Sequence, residues 1–150
     1  MAHHLLKAGH QLTVHNRSRP AVDDLVRAGA TDGASPAGCA AQADVVITML
    51  PDGPDVESVI AGPKGVFEGA KPGALLLDMS TISPVVATRL EAGARERGLR
   101  MLDAPVSGGE AGAISAQLSI MVGGAQADFD EALPILQTMG SKITLMGAAG

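Results

Sequence analysis

Aromatic side chains are nearly absent: there is no Trp or Tyr, and Phe67 and Phe129 are the only rings. A core must therefore be assembled from Ala, Val, Leu, Ile and seven Met. Cysteine is as scarce. Cys39 alone cannot form an intrachain disulfide, so nothing points to an oxidising compartment. Its setting between Gly38 and Ala40 reads as a small hydrophobe rather than a nucleophile. Long apolar runs are also missing. The longest, Val45–Leu50 and Ala74–Leu77, fall far short of the ~18 residues of a membrane span. The first nine residues lack the apolar core and cleavage site of a secretory leader, so a cytoplasmic location is expected. Basic charge is in deficit, with 11 Lys and Arg against 16 Asp and Glu and a net charge of -5. That balance argues against a nucleic-acid or anionic-membrane surface. His3, His4, His10 and His15 have no trusted metal-ligand spacing and no cysteine or Glu partner among them. They are expected on the surface, with no metal.

What is present is a regular alternation. At 46% hydrophobic residues over 150 positions, the chain can bury one substantial core. Short β-rich runs alternate with helical patterns, the signature of βαβ units on a parallel sheet. Leu12–Val14 opens a strand ending near Asn16. Asp44–Leu50 is continuously apolar, as expected where helices cover both faces. Ala74–Asp78 and Leu99–Asp103 repeat the pattern, each stopping at an Asp.

Helix punctuation falls between these runs. Pro20 marks a first turn, Val22, Leu25 and Val26 share a face, and Gly29 lies just past the end. Ser35-Pro36 and Ser83-Pro84 read as cap-plus-first-turn pairs, and Gly98 closes the helix carrying Val86, Leu90 and Ala94. Pro54 begins another helix, with Val56, Val59 and Ile60. Phe129, Leu133 and Leu136 mark one near the C-terminus, before a last strand at Lys142–Met146. Met1, Leu5 and Leu6 with Gly9 look like a helix with no strand or glycine loop ahead of it. The expected fold is α/β, one doubly wound Rossmann-type parallel sheet whose first strand and glycine loop are missing.

Four stretches then line up with one family: LLKAGHQLTVHNRS, DVVITMLPD, DMSTISP and DAPVSGGEAGAISAQLSIMVGG. Together they resemble the β-hydroxyacid dehydrogenases, which include 3-hydroxyisobutyrate dehydrogenase. The resemblance covers essentially all 150 residues, and its later wording is similar to the tartronate semialdehyde (2-hydroxy-3-oxopropionate) reductases. It implies an N-terminal Rossmann domain followed by an all-helical domain, NAD or NADP as cofactor, and reduction of an aldehyde acid to a hydroxy acid. It also implies a G-x-G-x-x-G loop before the first helix and an acid/base lysine from a G-x-G-x-x-x-K stretch after Gly150. Neither is in this sequence, so a chain truncated at both ends and inactive alone is expected. In place of that reading, residues 1–150 could be a non-catalytic NADP-binding module or an inactive fragment. Within the family, a 3-hydroxyisobutyrate dehydrogenase or a glyoxylate or succinic semialdehyde reductase is the alternative.

The candidate site residues follow from the doubly wound frame and the resemblance together. Asn16 and Arg17 close the second strand of the expected fold, where an acidic residue suits a ribose hydroxyl and an arginine suits a 2′-phosphate. Arg17 therefore favours NADP over NAD; otherwise it is a solvated arginine in a turn. The resemblance implies that the Leu50 and Pro51 backbone runs along the cofactor, with Asp55 nearby, and that Thr81 faces the nicotinamide end; otherwise Asp55 serves the start of its helix and Thr81 a turn before Ser83. Asp52 is expected to cap a helix, and Asp78 to cap or brace its turn. Ser107, Gly108 and Gly109 alone read as a glycine-rich turn; with the Asp103–Val106 lead-in of the resemblance they are the candidate holders of a substrate carboxylate, since paired glycines let backbone N–H groups approach an anion. Gly123-Gly124 reads as a turn. A small carboxylate substrate and a possible homo-oligomer complete the expectation.

Overall fold

The computed structural model describes all of residues 1–150. In chain order it comprises α1 (Ala2–Lys7), β1 (Thr13–Val14), α2 (Arg19–Arg27), β2 (Thr31–Asp32) and α3 (Pro36–Ala40). Next come β3 (Val45–Thr48), α4 (Gly53–Ala61), α5 (Val66–Gly69), β4 (Leu75–Asp78) and α6 (Pro84–Glu96). The last third holds β5 (Arg100–Asp103), β6 (Val106–Ser107), α7 (Gly109–Ser115), β7 (Leu118–Gly123), α8 (Gln126–Leu136) and β8 (Gly140–Gly147).

Three helix starts show why the chain turns where it does. Ser35 accepts from the Gly38 N–H at 3.0 Å, and Asp52 Oδ1 accepts from the Asp55 N–H at 3.0 Å; each caps a helix whose first turn carries a proline. Ser83 stands at the N-cap of α6 without a side-chain hydrogen bond, so only its position matches the expected cap. Gly9, Gly29 and Gly98 take φ of +90, +109 and +70 directly after α1, α2 and α6, the left-handed exit that glycine permits.

The central strands β3, β4 and β5 are parallel and in register, Thr48 beside Asp78 beside Asp103. Their side chains alternate between two cores. Leu75, Leu77, Met79 and Leu102 pack with Leu5, Ile120 and Leu136 on one face; Val46, Leu76 and Met101 pack with Val56, Ile60 and Leu90 on the other. β4 is buried along its whole length, which is why its sequence is unbroken Leu up to Asp78. The result is helix, sheet, helix, the doubly wound α/β arrangement.

Two features go beyond the parallel expectation. β7 runs antiparallel to β5 and to β6, and parallel to β8. The pairs Asp103–Gly123, Val106–Ile120 and Ser107–Ser119 keep one register, so β6 continues the line of β5 after a break at Ala104-Pro105. β1 and β2 form a separate parallel pair, and no strand joins β1 to β3. A cavity of about 870 Å³ lies between them, lined by Leu5, Thr13, Val14, Val45, Ile47 and Met139 among others. No helix is long and apolar enough to cross a membrane.

Candidate functional site

Parallel strands end on the same side of a sheet, so the segments following β3, β4 and β5 share one edge, and the contact of Arg17 with Asp55 brings the segment after β1 beside it. Open α/β sheets bind ligands outside this carboxyl edge. Asn16 and Arg17 lie exposed after β1, Pro51 and half-buried Leu50 after β3, and Thr81 exposed after β4. Arg17 reaches across to Asp55 on the first turn of α4, Nη1 to Oδ2 at 3.6 Å. The fold thus brings Arg17 and Asp55 together although 38 positions separate them.

Ser107, Gly108 and Gly109 are also exposed. Because β6 prolongs β5, residues 104–107 can carry them about 13 Å past the end of β5 at strand rise. Gly108 and Gly109 have consecutive positive φ values of +135 and +60. A Cβ on Gly108 would sit 3.2 Å from Leu118 Cδ2, whereas one on Gly109 would meet nothing within 4 Å. Gly109 therefore owes its identity to backbone conformation and not to space.

Beneath this exposed edge lies a buried polar layer. Asp78 is fully buried, and its Oδ1 accepts from Thr48 Oγ1 at 2.9 Å, Ser80 Oγ at 2.6 Å and the Ser80 N–H at 3.2 Å. Ser80 Oγ in turn accepts from the Leu50 N–H at 2.9 Å. Burial pushes the Asp78 carboxyl above its ordinary range, and the Ser80 and Thr48 hydrogen bonds only partly oppose this. Asp103 is raised for the same reason, with the neighbouring Asp78 adding a smaller push. The expected role of Asp78 as a turn brace is met, but sequence reasoning missed its reach to Thr48 and, through Ser80, to Leu50. No local pattern could have shown it, since the partners are 30 residues apart.

Three other expectations need correction. His4 is not a free surface residue. It is half-buried, and its Nε2 lies 3.0 Å from both the Ala113 and Ile114 carbonyls, tying α1 to the end of α7. Gly123-Gly124 is more than a turn. Gly123 closes β7 in the core, where a Cβ would collide with the Asp103 carboxylate and the Ala148 carbonyl, and Gly124 has φ +142 against Leu102. Val26, placed with the inward face of α2, is 40% exposed while Val22 is buried. Cys39 behaves as expected: half-buried, its thiol pushed up to about 11 chiefly by burial, so it stays protonated near neutral pH.

A family profile described as the NAD binding domain of 6-phosphogluconate dehydrogenase matches residues 1–147. The NAD-dependent L-serine dehydrogenase of Pseudomonas aeruginosa is 46% identical over all of this chain and 50% of its own length. The 2-hydroxy-3-oxopropionate reductase of Escherichia coli is 41% identical over all of this chain and 51% of its own. Among solved structures, the 3-hydroxyisobutyrate dehydrogenase of Mycobacterium tuberculosis with L-serine superimposes with a TM-score of 0.92 at 38% identity. That match covers 99% of this chain and 50% of the other. Psf3 in complex with NADP+ and 2-OPP gives a TM-score of 0.92 at 29% identity, covering 99% and 52%. This chain belongs to the NAD-binding domain family of the β-hydroxyacid dehydrogenases. It spans about half the length of the relatives it matches.

Proposed function

We propose that residues 1–150 are the cofactor- and substrate-binding part of an NAD(P)-dependent oxidoreductase. The reaction is reduction of a 3-oxo acid to its hydroxy acid, with tartronate semialdehyde and glycerate as the favoured pair. The observation that carries this reading is the strand extension that lifts Ser107–Gly109 beyond the edge where the β3 and β4 loops end. A module that bound only a dinucleotide would have no use for such a projection.

The residues present suit a dinucleotide by their chemistry. Arg17 is 79% exposed and its only ion pair is loose, so its guanidinium is free to meet a phosphate. Asn16 and Asp55 stand beside it, Leu50 and Pro51 offer backbone, and Thr81 a hydroxyl. A bound nicotinamide would supply the hydride. Ser107, Gly108 and Gly109 orient the substrate carboxylate with backbone donors and one hydroxyl. The resemblance to the β-hydroxyacid dehydrogenases implies that proton donation falls to a lysine of a G-x-G-x-x-x-K stretch, which residues 1–150 do not contain. The preference for NADP rests on Arg17. A single cysteine, with no intrachain disulfide to form, fits the proposed cytoplasmic setting, and the proposed assembly is a homo-oligomer.

The test is NADPH and NADH oxidation by the full-length protein with tartronate semialdehyde, and NAD(P) reduction with 3-hydroxyisobutyrate and L-serine. The expected result is highest kcat/KM for tartronate semialdehyde with NADPH. Turnover confined to L-serine or 3-hydroxyisobutyrate would overturn the substrate assignment, and binding without any turnover would favour a non-catalytic module.

A further inference from the structure

We propose that Ser80, seated on Asp78, is a positioning residue that locks the Leu50–Pro51 loop to the Ser80–Thr81 loop, making one platform from the two segments assigned to the dinucleotide. This rests on the cofactor reading above and adds residues that it did not include.

The backbone ladder between β3 and β4 ends where the Met79 N–H donates to the Thr48 carbonyl at 2.8 Å. Past that point the two loops diverge toward α4 and α6. Pro51 has no N–H to offer, and the side chain of Asp52 is occupied capping α4. The Leu50 N–H anchors this loop across the gap, held by Ser80 Oγ at 2.9 Å. Ser80 is 2% exposed, and its own hydroxyl proton is committed to Asp78 Oδ1 at 2.6 Å. A serine hydroxyl donates once while accepting at the same time, so this single side chain passes the anchor from a buried carboxylate to a loop amide. Thr48 donates to the same Asp78 oxygen but contacts neither loop amide. It supports the carboxylate; Ser80 carries the coupling.

That division sets the experiment. In the full-length protein, Ser80→Ala should raise the Kd for NADPH about tenfold, the scale of one hydrogen bond's net contribution. It should also speed hydrogen exchange at the Leu50 amide by a similar factor. Thr48→Val removes one buried hydrogen bond to the same carboxylate, and should lower the Tm while leaving Kd within about twofold and Leu50 exchange unchanged. Ser80→Cys, with a thiol that donates and accepts weakly, should fall between wild type and Ala. Equal Kd changes in Ser80→Ala and Thr48→Val, or a Kd untouched by Ser80→Ala, would overturn the proposal while leaving the cofactor reading intact. A wild-type protein that binds neither NADPH nor NADH would sink the cofactor reading instead. The Leu50 amide would then decide the coupling alone: faster exchange in Ser80→Ala but not Thr48→Val supports it, and no difference overturns it.

Discussion

An acid buried like Asp78 holds its proton more tightly in the folded chain than in the unfolded one. The folded state is favoured at low pH and loses that advantage as pH climbs from the ordinary 3.8 through the raised folded value. Asp103 pulls the same way. Asp78→Asn keeps an acceptor for Thr48 and Ser80 but cannot ionise. Its stability, followed by denaturant melts across the acid range, should decline less with rising pH than that of the wild type; a parallel or steeper decline contradicts the account. Arg17 is the second residue with a consequence. Its exposed pair with Asp55 contributes little, so the energetic role assigned to it lies in meeting a phosphate. Arg17→Asp in the full-length protein should shift the NADPH-to-NADH affinity ratio by ten- to hundredfold, as loss of a charge-assisted contact predicts; an unchanged ratio removes Arg17 from the site. At this scale the sequence was informative where chemistry is local. The Ser35 and Asp52 caps and the turn at Asp78 depend on residues two or three positions away. The roles of His4 and Ser80 depend on partners 109 and 30 positions distant, which no window contains.

Among the elements, β3, β4, β5 and most helices were legible because their periods and punctuation are strong. β2 and β6 have two residues each, too few for any period, and β6 follows Pro105. β7 alternates buried and less buried positions from Leu118 to Met121, yet it read only as motif wording. Its antiparallel pairing reverses the βαβ pattern that organises the rest. The line made by β5 and β6 also defines what Gly109 does. A Cβ at that position meets nothing within 4 Å, but Val must enter φ +60, where a β-branched side chain is strained. Gly109→Val should raise the substrate KM at least tenfold while the NADPH Kd stays within about threefold. Equal loss of both would mean that the turn serves folding alone.

For the molecule as a whole, the two sheets are the salient feature. β1 and β2 pair only with each other, and the cavity of about 870 Å³ parts them from β3. β4, by contrast, is flanked on both sides and buried throughout. Stability should therefore be uneven. Native-state hydrogen exchange on the 150-residue chain should show β1 and β2 opening at a lower free energy than β4; uniform opening would mean that the halves cooperate despite the gap. The doubly wound frame was legible from the start, whereas the cavity's walls depend on how distant segments settle around it. The central claim is that one sheet edge holds both dinucleotide and substrate. It is tested most directly by mapping amide protection in the full-length protein with NADPH, then with glycerate added. The account predicts protection by NADPH at residues 16–17, 50–55 and 80–81, with further protection at 107–110 only when the hydroxy acid joins. Protection confined to the opposite edge, around Lys71 and Arg100, or none at the carboxyl edge, would contradict it.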